Sequence, residues 1–351
     1  MFQPSVQLQQ LADALRPALG MAGGAPVTAE LVDFAVKRHR CGSLLHHAAV
    51  CNGGAGTSPD VTAQLHQLSR AAARRTLRQT ATAKRLGRAL ASHDIGFAEF
   101  KGGGLGQLLY GQDTRRDSKD VDVLVDPARM ADALEIVREL GFTRPGGKTI
   151  DVDRALGLLR FTKEIEVFDP QYRTMVEVHA RSMRELPAGW DDAKLRNTPL
   201  DLQNRHYVIY LVLHGCATRW SRMKWLADFA RLVALVDRDT RTGVIALARE
   251  YECSAPIVAS CELARSLWQD VQVEPWLDDI GNTASKARIA RLVRSYGEAI
   301  TSDAKQPAQQ SLWHRLGIAP AIPVYGDRPP PRLPALRNRT GAWFMRALLD
   351  R

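Results

Sequence analysis

Apolar positions in the first 93 residues recur at spacings of three and four, as from Leu31-Val32-Phe34-Ala35 through Leu44-Leu45, and predict helices. A Gly-rich loop from Asn52 interrupts them, and Asp60 is the expected N-cap of a long helix reaching about Ser92. At Ile95 the pattern changes. Ile95–Phe100 reads as a strand, Gly102-Gly103-Gly104 opens a helix over Leu105–Tyr110, and Val121–Val125 reads as a buried strand. Pro127 starts a helix over Ala128–Leu140 that Gly141 ends. Leu158–Thr162, Ile165–Phe168 and Thr174–His179 are further expected strands. Helical periodicity returns at Asp201, with helices expected over 201–217, 221–236, 241–252, 255–269 and 284–302. The Pro-rich stretch 320–334 excludes regular helix, and a short amphipathic helix is expected over Thr340–Leu349. The pattern gives an α+β chain: N-terminal helices over 1–93, a small α/β core with a mixed sheet over 94–182, and a helical C-terminal domain over 200–351.

Composition narrows the class. The 351 residues are 45% hydrophobic and 25% charged, as in ordinary globular proteins, which excludes a largely disordered or collagen-like chain. Five cysteines (Cys41, Cys51, Cys216, Cys253, Cys261) form no C-x-x-C pair, so neither a disulfide framework nor a zinc knuckle is expected. The N-terminal segment has no basic-then-apolar leader and no stretch is apolar enough to span a bilayer, so a cytoplasmic protein without membrane partners is expected. The net charge of +10 suits an anionic partner. Arg70, Arg74, Arg75, Arg78, Lys84, Arg85 and Arg88 fall on one predicted helix, either as a solvated face or as a footprint for RNA.

Candidate chemistry gathers in the central unit. Lys101-Gly102-Gly103-Gly104 lies between a strand and a helix, where backbone N–H groups can approach a phosphate. Asp120 and Asp122 are two apart on a strand and so share a face; a divalent cation removes the repulsion between two such carboxylates. Val176-Glu177-Val178-His179 offers a third acid near a strand end, with His179 beside it. Farther on, Lys224 and Asp228 are one helical turn apart and can pair.

The order Gly-Gly turn, Asp-x-Asp strand, later acidic strand resembles the nucleotidyltransferase superfamily of DNA polymerase beta and the aminoglycoside nucleotidyltransferases. The closer resemblance is to a bacterial group of uncharacterised nucleotidyltransferases. It rests on Phe100-Lys101-Gly102-Gly103-Gly104-Leu105 to Tyr110, Arg116, Asp120 to Val125, Val176-Glu177-Val178-His179, His214-Gly215, Trp220 to Asp228, and Arg38-His39-Arg40-Cys41-Gly42-Ser43. Glu177 stands where that group often has Asp, and Lys119 puts a cation beside the acids. The resemblance implies transfer of an NMP from an NTP to a hydroxyl or phosphate of an acceptor, with two Mg2+ (or Mn2+) ions on Asp120, Asp122 and Glu177. It also implies nucleotide contacts from Lys101, Gly102, Gly103, Arg116, Lys224 and Asp228. A small molecule, a peptide or a tRNA would all serve as acceptor. A tRNA-modifying toxin-type transferase and an inactive nucleotide-binding scaffold are the alternatives. Asp122→Asn is expected to abolish transfer and leave the fold intact.

Overall fold

The computed structural model describes residues 2–198, 200–281 and 284–302. The expected Pro-rich stretch 320–334 and the helix Thr340–Leu349 lie outside them. Four N-terminal helices lead in: α1 (Val6–Leu15), α2 (Ala29–Phe34), α3 (Gly42–Cys51) and α4 (Pro59–Ala91). The central unit follows as β1 (Phe97–Glu99), α5 (Gly102–Tyr110), β2 (Asp120–Val125), α6 (Met130–Glu139), α7 (Val152–Leu159), β3 (Glu164–Asp169) and β4 (Thr174–His179). Then come α8 (Ala193–Arg196), α9 (Arg205–Ala217), α10 (Met223–Leu235), α11 (Arg238–Glu250), α12 (Ser254–Leu267), α13 (Glu274–Ile280) and α14 (Lys286–Thr301). The α+β class expected from the hydrophobic pattern is the observed one.

Several boundaries moved for local reasons. The cap of α4 is Ser58, not Asp60: its Oγ accepts from Val61 N at 3.4 Å, and Pro59 takes the first helical position, where no donor is lost. Leu158–Thr162 is not a strand. Asp151 caps α7 by accepting from Arg154 N at 3.1 Å, and Ala155, Leu158 and Leu159 make one buried helical stripe that ends the run. The short α13 went unpredicted; it starts around Pro275 and buries Trp276 and Ile280, four apart.

The sheet has the order β1-β2-β4-β3, with β2 and β4 parallel and the two outer pairs antiparallel. Parallel pairing requires a crossover, here α6, α7 and β3. Val121, Val123 and Val125 point from β2 into a core shared with Leu86 and Leu90 of α4, with α6 and with α7. Alternation therefore turns Asp120, Asp122 and Leu124 to the opposite face. That face looks toward α9 and α10. A second, larger core joins both ends of the described chain: Leu8, Leu11 and Leu15 of α1 are buried in one cluster with Leu263 and Trp268. The indole N–H of Trp268 donates to Ala12 O at 2.9 Å.

Candidate active site

The register of β2 on β4 sets Asp122 directly beside Glu177. His179, two residues on from Glu177, projects to the same face. Its Nε2 lies 3.1 Å from Asp122 Oδ1 and 3.3 Å from Glu177 Oε2. One donor atom from each of the three falls within 4.8 Å of the others. On the far ring nitrogen, His179 Nδ1 lies 3.4 Å from Glu164 Oε2, which also pairs with Lys163. Phe100 packs edge-on against the imidazole. The ring is wholly buried, so these contacts fix its orientation.

Lys101 brings its Nζ to 2.6 Å from Asp122 Oδ1 in a nearly buried pair. Burial opposes ionisation of Asp122, but Lys101 and His179 outweigh it and hold the carboxyl well below the usual range. Glu177 goes the other way: burial pushes its carboxyl up, and Asp122 and Glu164 add to that push. Gly102, at φ +70°, makes the turn that aims Lys101 inward. Gly102 and Gly103 themselves do not line the cleft; a Cβ on Gly103 would face Asp113 and Thr76. Asp120 lines the cleft on the face of Asp122 but lies outside the tight Asp122–Glu177–His179 set.

Arg116 and Asp228 are brought together, though not as the helical spacing predicts. Asp228 Oδ2 accepts from Arg116 Nε at 2.8 Å and Oδ1 from the Tyr110 hydroxyl at 3.0 Å, while Arg116 Nη1 donates to Gly102 O at 3.2 Å. This buried network ties α5 and the loop after it to α10. Lys224, one turn before Asp228, instead donates to Asp117 O. Burial, with Arg116 nearby, pulls its ammonium down to about 7. Asp117 is itself a junction, accepting from Ser43 N and Oγ at 2.9 Å each and from Arg75 Nη2 at 3.0 Å.

Lys101, Arg116, Asp120, Asp122, Glu164 and Glu177 line a cleft of about 470 Å³ between the sheet and α9–α10, while His179 lies beneath it. Arg40, Lys119, Arg222 and Lys224 also line it, and none has a carboxylate within ion-pair distance among the described residues, although Asp120 acts on all four at longer range. Burial, then Arg40 and Arg38, pushes Arg222 down to about 10. Arg40, then burial and Arg222, lowers Lys119. His214 and Trp225 also line the cleft and meet edge to face. Sequence reasoning missed Arg40, Arg222, Lys163 and Glu164. The acid-apolar alternation Glu164-Ile165-Glu166-Val167 was the available signal for Glu164; for Arg40 there was only its place in Arg38-His39-Arg40.

A mixed sheet here sets two carboxylates and an imidazole side by side, a group that could hold a metal ion, at a cleft that basic side chains also line. Family comparison gives the class. The family described as an uncharacterised nucleotidyltransferase matches residues 27–269, well over half of the chain, and the protein belongs to it. No curated protein and no solved structure shows a match to the chain. Among the described residues no helix is long and apolar enough to cross a membrane.

Proposed function

We propose that the protein transfers an NMP from an NTP to a hydroxyl or phosphate of an acceptor, with Mg2+ or Mn2+ as cofactor. The observation that carries this reading is the β2–β4 register, which places Asp122 and Glu177 side by side at a cleft that Arg40, Lys119, Arg222 and Lys224 also line. The donor set fits a divalent cation: Asp122 is held anionic, and carboxylate oxygens suit Mg2+ and Mn2+. Asp120, Asp122 and Glu177, with His179, would hold it. When bound, such ions supply charge stabilisation to the attacking and leaving oxygens.

The chain's own residues do the rest. Lys224 and the wall around it bind the triphosphate and orient the α-phosphorus. Glu177, held by His179, is placed to take the proton as the acceptor O–H becomes an O–P bond and the bond to pyrophosphate breaks. Lys101 keeps Asp122 oriented toward the cleft, and Asp228 anchors Arg116, which also lines the cleft, so that the pair ties α10 to the site.

The test is incorporation of α-labelled NTPs into metabolite, peptide and RNA fractions with added Mg2+. Asp122→Asn is a poor probe of it. That change strands the buried Lys101 ammonium and is expected to cost about 3–5 kcal/mol of stability, so the fold-neutral substitution that constant volume suggests is not what the structure supports. Glu177→Gln and Asp120→Asn lack that defect. Each is expected to lose at least ~10²-fold in transfer while melting within a few degrees of the parent. Transfer at the parental rate by Glu177→Gln would refute the assignment.

A second reading, an RNA acceptor, is favoured by α4. Arg75 and Arg85 are spent inward, on Ser118 O and Asp117 and on Asp169 and Leu140 O, but Arg70, Arg74, Arg78, Lys84 and Arg88 remain exposed.

A further inference from the structure

Three consecutive residues, Arg38-His39-Arg40, end the short π-helical turn Ala35–His39 that follows α2. π-turns interrupt the regular hydrogen-bond ladder and often mark functional positions. The first two residues are anchors. Arg38 is buried, and its guanidinium donates to Ser221 O at 2.6 Å, Ser302 O at 2.6 Å and Ala299 O at 2.8 Å. His39 is wholly buried, and its Nδ1 accepts from Met223 N at 3.0 Å. Burial, with Arg38 and Arg222, pulls the ring down to about 3, which keeps it a neutral acceptor. Between them these two residues grip the segment on either side of Arg222.

The third residue has a different role. Arg40 takes the left-handed conformation at φ +53°, unusual for a residue with a long side chain. Strain of this kind persists where the surroundings fix it, and it gathers at functional sites. Here the reversal directs Arg40 into the cleft, onto the wall with Lys119 and Arg222. Arg40 pulls Lys119 down and adds to the burial that lowers Arg222, Asp120 offsets that repulsion only in part, and an anion relieves it further. A multiply charged phosphate chain is the ligand that several separate cations can share; a single phosphate is not large enough to need three.

We propose that Arg40, with Lys119 and Arg222, forms the subsite for the polyphosphate end of the nucleotide, and that Arg38 and His39 are the positioning residues that hold it in register with the acidic strands. The proposal rests on the transfer reading for the identity of the ligand, but its test does not use transfer.

Isothermal titration of the full chain with inorganic tripolyphosphate and with a nucleoside monophosphate, both without metal, separates the two ends of the ligand. Arg40→Met is expected to weaken tripolyphosphate by about tenfold to a hundredfold, the loss of a charge-assisted contact, and to leave the monophosphate within about threefold. Arg40→Lys is expected to recover part of the loss. Arg70→Met, on the outer face of α4, is the control for general charge and is expected to bind as the parent does. Parental affinity in Arg40→Met overturns the proposal, as does equal loss in Arg70→Met or equal loss of the monophosphate. If tripolyphosphate and an NTP bind together rather than in competition, the subsite serves an acceptor phosphate and the assignment to the nucleotide falls. Tripolyphosphate binding through Arg40 by a protein that transfers no nucleotide would sink the transfer reading and leave the subsite standing.

Discussion

Lys224 is a cleft residue whose charge changes near neutral pH. Its ammonium is pulled down to about 7 by burial, against an ordinary 10.5. Below pH 7 it is charged and can meet a phosphate; above pH 7 it sheds the proton and the charge is gone. Nucleotide affinity is therefore expected to fall as pH rises through about 7, and binding at pH 8 is expected to take up a proton. Titrations in two buffers of different ionisation enthalpy read that uptake, and Lys224→Met should abolish it. The same shift leaves a mark on folding: the unfolded chain holds this proton up to about 10.5, so Lys224 contributes a rise in stability between about pH 7 and 10.5. At this scale much of the acid side was readable. Asp120, Asp122 and Glu177 announce themselves by two-residue spacing within apolar strands, because a sheet face repeats every second residue. What could not be read was pairing. Lys101 with Asp122 and Arg116 with Asp228 depend on how helices dock on a sheet, and no spacing along the chain encodes that.

Elements show the same division. The long α4 and the strand Thr174–His179 were legible, one from periodicity and the other from alternation between polar neighbours. The Leu158–Thr162 stretch misled because a short apolar run fits a strand or a helix end equally, and only the Asp151 cap decides between them. Gly215 in α9 is a case where tertiary packing overrides local preference. A Cβ built there would sit 2.0 Å from the Trp220 ring, which is itself buried and hydrogen-bonded to Ser260 Oγ at 2.9 Å. Alanine in a helix interior normally gains about 1 kcal/mol over glycine. Here the overpacking cost of about 1–3 kcal/mol, or more against so rigid a ring, outweighs that gain. Gly215→Ala is expected to lower the urea midpoint. A midpoint above the parent's would mean that the indole moves aside freely.

For the molecule as a whole, charge is partitioned. Inside the cleft several cations are matched to acids and others wait for a ligand, whereas the outward face of α4 opposite its buried stripe carries five basic side chains with no ion pair among the described residues. Those five span about 27 Å from Arg70 to Arg88 at a helix's rise per residue, a footprint longer than a small acceptor. Replacing all five with Gln is expected to leave nucleotide affinity unchanged. If the acceptor is RNA, the change should also lower RNA retention and flatten its salt dependence. Unchanged RNA binding in that variant would remove α4 from the acceptor path.

The grip of Arg38 on Ser302 O spans 264 positions of sequence, and its grip on Ser221 O spans 183. Synthesis runs from the N-terminus at about 5–20 residues per second, so Arg40 emerges roughly 10–50 s before the last of the groups that aim it. The sheet and its acids can assemble meanwhile, because every strand among the described residues lies before residue 180. The strands that carry Asp120, Asp122 and Glu177 are thus complete in the nascent chain before the groups that aim Arg40 are made. A polypeptide interrupted in between holds the acidic strands without the groups that aim Arg40.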